Sequence, residues 1–167
     1  MENTLTEALE REHDEIDAGL EAFAEGLAAG TFREDDLSRA ATALRRHIYL
    51  EEEFLFPPLR AAGMLPPVLV MLREHGEIWR TLDALEVEAN RLKETVGPDV
   101  GEHPVAGSGE AADTCRDLLE ILAEHNAKEE PIIYPQGDVV LAPDVKQDLH
   151  DFILEGQMPQ GWVCEQA

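Results

Sequence analysis

Four histidines and two glutamates stand at helical spacing inside apolar stripes. His13 lies four residues after Leu9 and three before Ile16, and His75 lies three after Leu72 and three before Ile78. His47 follows Leu44 by three and precedes Glu51 by four; His125 follows Leu122 by three and precedes Glu129 by four. Side chains three or four apart share one helix face, so this spacing aims six ionisable groups at a core. A carboxylate buried as a charge costs several kcal/mol unless something compensates it, and a pair of divalent metal ions would compensate both. A single histidine on an apolar face is an ordinary core residue, and a lone His-x-x-x-Glu an ordinary surface pair. Six such residues in matching positions point to metal binding.

The positions match because the chain repeats. Arg11-Glu12-His13-Asp14-Glu15-Ile16 recurs as Arg73-Glu74-His75-Gly76-Glu77-Ile78. His47-x-x-x-Glu51-Glu52 recurs as His125-x-x-x-Glu129-Glu130, and Phe54-Leu55-Phe56-Pro57 corresponds to Ile132-Ile133-Tyr134-Pro135. Two copies of one αα-hairpin would give each of two metals two histidines, with Glu51 and Glu129 bridging. Imidazole with carboxylate suits iron, manganese or zinc, and the absence of clustered thiolates disfavours copper(I) and iron–sulfur centres. Six ligands are too many for one tetrahedral zinc and divide naturally over two ions. With a solvent bridge each ion would keep one position free for a small ligand.

The elements that must hold these groups follow from the apolar periodicity. Leu5, Leu9, Ile16, Leu20, Phe23 and Leu27 predict a helix near 4–29 that Gly30 ends. Leu37, Ala40, Leu44, Ile48 and Leu55 predict a second near 34–58, which Pro57-Pro58 should end or kink. Pro66-Pro67 opens a third, near 67–96, and a Gly/Pro-rich loop over 97–109 leads to a fourth near 110–133. A shorter helix is expected near 144–155. Strand alternation is absent, so the expected fold is all-α: an antiparallel up-down-up-down four-helix bundle with a short extra C-terminal helix. The hairpin repeats would occupy about 5–60 and 66–136, the whole bundle 1–156, and a tail 157–167.

The order His13, His47-x-x-x-Glu51, His75, His125-x-x-x-Glu129 resembles the hemerythrin-like proteins, the HHE cation-binding domains, from about Leu5 to Pro135. The resemblance implies a non-haem site of two iron ions with one oxo or hydroxo bridge. His13, His47, Glu51, His75, His125 and Glu129 would hold it, with zinc or manganese as substitutes. Oxygen-carrying hemerythrins place two histidines a turn apart on the third helix; here Met71 and Trp79 flank His75. That departure is more like the bacterial relatives tied to iron, oxygen or nitric oxide sensing and to repair of iron centres. The function implied is binding or sensing of a small diatomic ligand, oxygen or nitric oxide, without obligatory turnover. The alternatives are a redox or repair enzyme acting on nitric oxide or peroxide with an electron donor protein, iron storage or delivery, and an inert helical module. Ferritin-like oxidases use Glu-x-x-His, and the His-x-x-x-Glu spacing argues against that relative.

Neighbouring residues take lesser expected roles. Glu12 and Glu74 are read as solvated helix charges before second partners of imidazole, and Glu52 and Glu130 as reserve ligands. Tyr49 and Tyr134 are read as packing before hydrogen-bond partners near the metals, Trp79 as a pocket wall, His103 as an exposed loop residue, and His150 as a candidate seventh ligand. Cys115 reads as core and Cys164 as incidental in a polar tail; two cysteines make neither a disulfide framework nor a thiolate zinc cluster. With 36 acidic against 13 basic residues the net charge is −23. Such a surface repels phosphate backbones and excludes a nucleic-acid binder. At 44% hydrophobic the chain is no acidic disordered tail. It has no apolar run long enough for a membrane span and no visible signal peptide, so a cytoplasmic protein is expected.

Overall fold

A computed structural model describes residues 4–96 and 108–167. All regular structure in them is helical: α1 (Leu5–Ala28), α2 (Glu34–Leu50), α3 (Phe56–Ala61), α4 (Leu65–Val96), α5 (Ser108–Lys128), α6 (Tyr134–Val140) and α7 (Pro143–Glu155). The expected loop over 97–109 and His103 fall outside the described residues, apart from the first residues of α5. None of the described helices is long and apolar enough to cross a membrane.

Local chemistry sets the ends of α1. Thr4 and Glu7 form a capping box: the Thr4 hydroxyl accepts from the Glu7 N–H at 3.1 Å, and the Glu7 carboxylate accepts from the Thr4 N–H at 3.0 Å. Asp138, far along the chain on α6, accepts the next two N–H groups, from Leu5 at 3.0 Å and Thr6 at 3.3 Å. At the other end Gly30 takes φ +78°. The Gly30 N–H then reaches the Leu27 carbonyl at 3.0 Å and the Thr31 N–H the Gly26 carbonyl at 2.7 Å. Those two bonds are a Schellman stop, which glycine adopts without Cβ strain.

Two prolines shape the helices that carry the glutamates. Pro57 and Pro135 do not break their helices, as the sequence led us to expect for Pro57-Pro58. A five-residue π-helical turn precedes each helix that carries the proline: Glu51–Leu55 joins α2 to α3, and Glu129–Ile133 joins α5 to α6. A proline inside a helix has no N–H to give and its ring meets the carbonyl four residues back. A widened turn relieves that clash, and helical structure continues past the proline. In each turn the last N–H bonds five residues back, Phe56 to the Glu51 carbonyl and Tyr134 to the Glu129 carbonyl.

α1 packs against α2, α4 against α5, α1 against α5, and α2 also meets α4. The expected core positions Leu9, Leu20, Phe23, Leu44, Ile48, Leu55, Leu72, Leu82, Leu118 and Leu122 are all buried. They fall into two apolar clusters. One includes Ile16, Leu20, Phe23, Leu44, Ile48, Ile78, Leu82, Leu118 and Leu122. The other includes Leu5, Leu9, Leu50, Leu55, Phe56, Met71, Leu72, Ile133 and Tyr134. The buried histidines and glutamates lie in the chain between these two sets, as a polar layer in an apolar stack. The C-terminal tail is part of the packing: Cys164 is buried, and Met158 and Trp162 lie against the first cluster. Cys164 is therefore a core residue and not an incidental one. Because Asp138 caps α1 across the fold, Asp138→Ala is expected to cost about 1 kcal/mol in urea unfolding, with metal uptake unchanged.

Candidate metal centre

The six residues singled out by spacing converge. His13, His47, His75 and His125 are at most 4% exposed, and Glu51 and Glu129 are fully buried. They make two groups that share both glutamates: His13, His47, Glu51 and Glu129, and Glu51, His75, His125 and Glu129. Each carboxylate divides its oxygens between the groups. Glu51 Oε1 lies 3.0 Å from His47 Nε2 while Oε2 lies 3.0 Å from His75 Nε2. Glu129 Oε2 lies 3.3 Å from His13 Nε2 while Oε1 lies 2.8 Å from His125 Nε2 and 3.7 Å from His75 Nε2.

Four further glutamates turn every imidazole the same way. Glu12 meets His47 Nδ1 at 2.7 Å, Glu52 meets His75 Nδ1 at 2.7 Å, Glu74 meets His125 Nδ1 at 3.0 Å, and Glu130 meets His13 Nδ1 at 2.8 Å. Each stands beside a clustered residue on one helical segment and reaches the histidine of the next, so the four bonds close a ring through α1, α2, α4 and α5. An ionised carboxylate only accepts, so Nδ1 carries the proton and donates it, leaving Nε2 to face the centre. Glu12 and Glu74 are therefore imidazole partners and not solvated helix charges, and Glu52 and Glu130 serve the same role rather than that of reserve ligands. Arg46 holds Glu12 in turn at 2.8 Å, and Lys128 pairs with Glu74.

The electrostatics follow from this crowding. Burial alone would lower the His47 pKa, yet the charges of Glu51 and Glu12 hold it up at about 10. His75 stands well above the usual histidine value and His125 is raised, in both cases against burial and through their glutamate partners. Burial and the charge of Glu129 push Glu51 upward, but His47 and His75 bring it down to about 2. Glu129 is likewise well below the carboxylate range, burial being outweighed by His125 and its neighbours. The imidazoles lower the carboxylate pKa values without satisfying every polar atom. Glu51 Oε2, His75 Nε2 and Glu129 Oε1 are buried with no hydrogen-bond partner despite lying close together. Donor atoms aimed at a common centre instead of at one another suit a metal ion. Two histidines with two carboxylates suit a divalent first-row metal.

Residues 4–136 match the family model for the hemerythrin HHE cation-binding domain. The chain belongs to that family. Comparison with curated proteins and with solved structures found no match. An HHE domain binds metal cations, and the two buried His/Glu groups here could hold them.

Other residues fall differently from expectation in this HHE domain. Tyr134 is fully buried and its hydroxyl sits inside the first group: 2.5 Å from Glu51 Oε1, 2.9 Å from Glu129 Oε2, 2.8 Å from His13 Nε2 and 3.1 Å from His47 Nε2. Burial, then the charges of Glu129 and Glu51, raise its pKa well above the usual phenol value. Spacing ranks it as packing before a partner near the metals because five residues on a regular α-helix turn a side chain about 140° away from Glu129. The π turn brings it back. The matching prolines, Pro57 and Pro135, each six residues after a shared glutamate, are the signal that could have revealed this. Tyr49 packs among Phe54, Phe152 and Trp162, as expected. Trp79 does not wall the pocket at the histidines; it is buried in the first apolar cluster against Trp162. That pocket is lined by Ile16, Leu44, Ile48, Ile78 and Leu122, with Asp17 and Asn126. His150 lies on α7 in a separate groove with Thr4, Arg11 and Lys146, outside both metal-ligating groups.

Two outcomes follow. Metal ligation needs neutral imidazoles; at pH 7 His47, with its pKa held up at about 10, is protonated, and the glutamate partners of His75 shift it in the same direction. Zinc titrated into the metal-free protein should therefore release protons, and its affinity should rise with pH. Calorimetry in two buffers of different ionisation heat measures this; uptake with no proton release would contradict it. Glu12→Gln and Glu74→Gln should each weaken metal binding by about 10- to 100-fold by loosening one imidazole, as measured by competition with a chelating dye.

Proposed function

We propose that this HHE domain holds two iron ions and binds or senses a small diatomic ligand, oxygen or nitric oxide, at that pair. The observation that carries the reading is the sharing of Glu51 and Glu129: Glu51 offers one oxygen to His47 and the other to His75, and Glu129 one oxygen to His13 and the other to His125. On this reading His13 and His47 hold one ion, His75 and His125 the other, and the two carboxylates bridge. The short connections between α1 and α2 and between α3 and α4 support an antiparallel up-down-up-down four-helix bundle, with α7 as the extra helix.

Iron held there would supply a ferrous–ferric couple and a coordination position for a small ligand. The chain's own part is to orient and to exclude. The ring of glutamates fixes the imidazoles, and Ile16, Leu44, Ile48, Ile78 and Leu122 make an apolar chamber beside them. Its free space is at the lower limit for one water-sized molecule, so the chamber excludes any bulky ligand. Cys115 and Cys164 are both buried and free. They form no exposed dithiol to carry electrons inward, which supports binding over turnover and makes any electron donor an outside protein. Free thiols suit a reducing, cytoplasmic setting.

Protein purified without an affinity tag and loaded anaerobically with ferrous iron should hold about two irons per chain. Glu51→Ala or Glu129→Ala should lose at least one iron and melt at lower temperature, since bound metal stabilises the native state. Glu120→Ala, on an exposed face of α5, should do neither. Equal iron in all three rejects the shared carboxylates. The oxidised protein should change its visible spectrum on adding azide; an unresponsive iron pair would reject small-ligand binding.

A further inference from the structure

The two repeats are not equivalent at the centre. By the repeat, Phe56 and Tyr134 occupy the same place, each five residues after a shared glutamate and at the end of a π turn. Phe56 stacks on His75, ring centroids 5.4 Å apart and 23° between planes, and offers no donor. Tyr134 lies over His13 at 5.5 Å and brings an oxygen.

The position of that oxygen is specific. His13 Nε2 to His47 Nε2 is 3.0 Å, His47 Nε2 to Glu51 Oε1 is 3.0 Å, and His13 Nε2 to Glu129 Oε2 is 3.3 Å. Adjacent donors around an ion with bonds of about 2.1 Å stand roughly 3.0 Å apart, so these atoms have the spacing of donors to one ion. The Tyr134 oxygen is 2.5 to 3.1 Å from all four. The phenol oxygen is thus at donor–donor distance from every atom of the first group.

We propose that Tyr134 is a fifth protein ligand, to the ion held by His13 and His47. This rests on the iron-pair reading above and sharpens it. One ion has five protein donors and the other, beside Phe56, has four, so the expectation of an equal vacancy on both ions is replaced by an asymmetric pair. The outside ligand belongs on the ion of His75 and His125. Ligation releases the phenol proton to solvent.

The chain has two tyrosines, Tyr49 and Tyr134, which makes the test clean. Oxidised, iron-loaded wild-type protein is expected to show a visible phenolate-to-iron charge-transfer band. Excitation in that band should enhance tyrosine ring modes in resonance Raman, and the modes should shift in protein grown with ring-deuterated tyrosine. The band should vanish in Tyr134→Phe and persist in Tyr49→Phe, with iron content measured in each. Iron-loaded wild type without the band, or a band that survives Tyr134→Phe, overturns the ligand and leaves the iron pair standing. Wild type that takes up no iron overturns both. If Tyr134→Phe does not fold, the deuterium shift in wild type decides.

Discussion

Glu51 and Glu129 are ionised carboxylates with no exposure to water, set between two apolar clusters. Burying two such charges costs several kcal/mol each unless partners repay it, and the surrounding construction is a response to that cost. Without metal the glutamates favour the cationic form of His47, His75 and His125, and the imidazoles share the carboxylate oxygens. That arrangement leaves three buried polar atoms without hydrogen bonds. With metal the same donors have a common target, and the protons that neutralised the site become what an ion must displace.

Orientation is handled one layer out. Each histidine is gripped at Nδ1 by a glutamate from an adjacent helical segment, so helix packing and imidazole direction are set by the same bonds. The outer residues Arg46 and Lys128 tie two of those glutamates to the surface. The abundance of acid in the chain thus has one local use. Four of the glutamates are hydrogen-bond acceptors for imidazole, and two more are shared at the centre.

The π turns connect backbone to chemistry. Each begins at a shared glutamate and ends at an aromatic residue that the widened turn rotates back toward the centre. One backbone device, applied in both repeats, delivers a phenol to one half and a plain ring to the other. Pseudo-symmetry in the fold therefore coexists with asymmetry in the donors.

The helical positions, the buried stripes and the six converging residues were legible in the sequence, because an α-helix converts spacing of three and four into a shared face. Leu9, His13 and Ile16 illustrate it: all three are buried on α1. The internal repeat carried the pairing of histidines with glutamates. Tertiary structure alone decided what each remaining group touches. Glu12 and Glu52 sit at positions that spacing reads as solvated or spare, and they become imidazole partners only because neighbouring helices come within hydrogen-bond reach. Tyr134 enters the centre because proline forces a turn whose period is not 3.6, and a rule built on that period turns it away. Side chains that share a helix face follow from the chain's own geometry. Those that meet across helices, or after a change of period, depend on how the helices are placed, which local spacing does not encode.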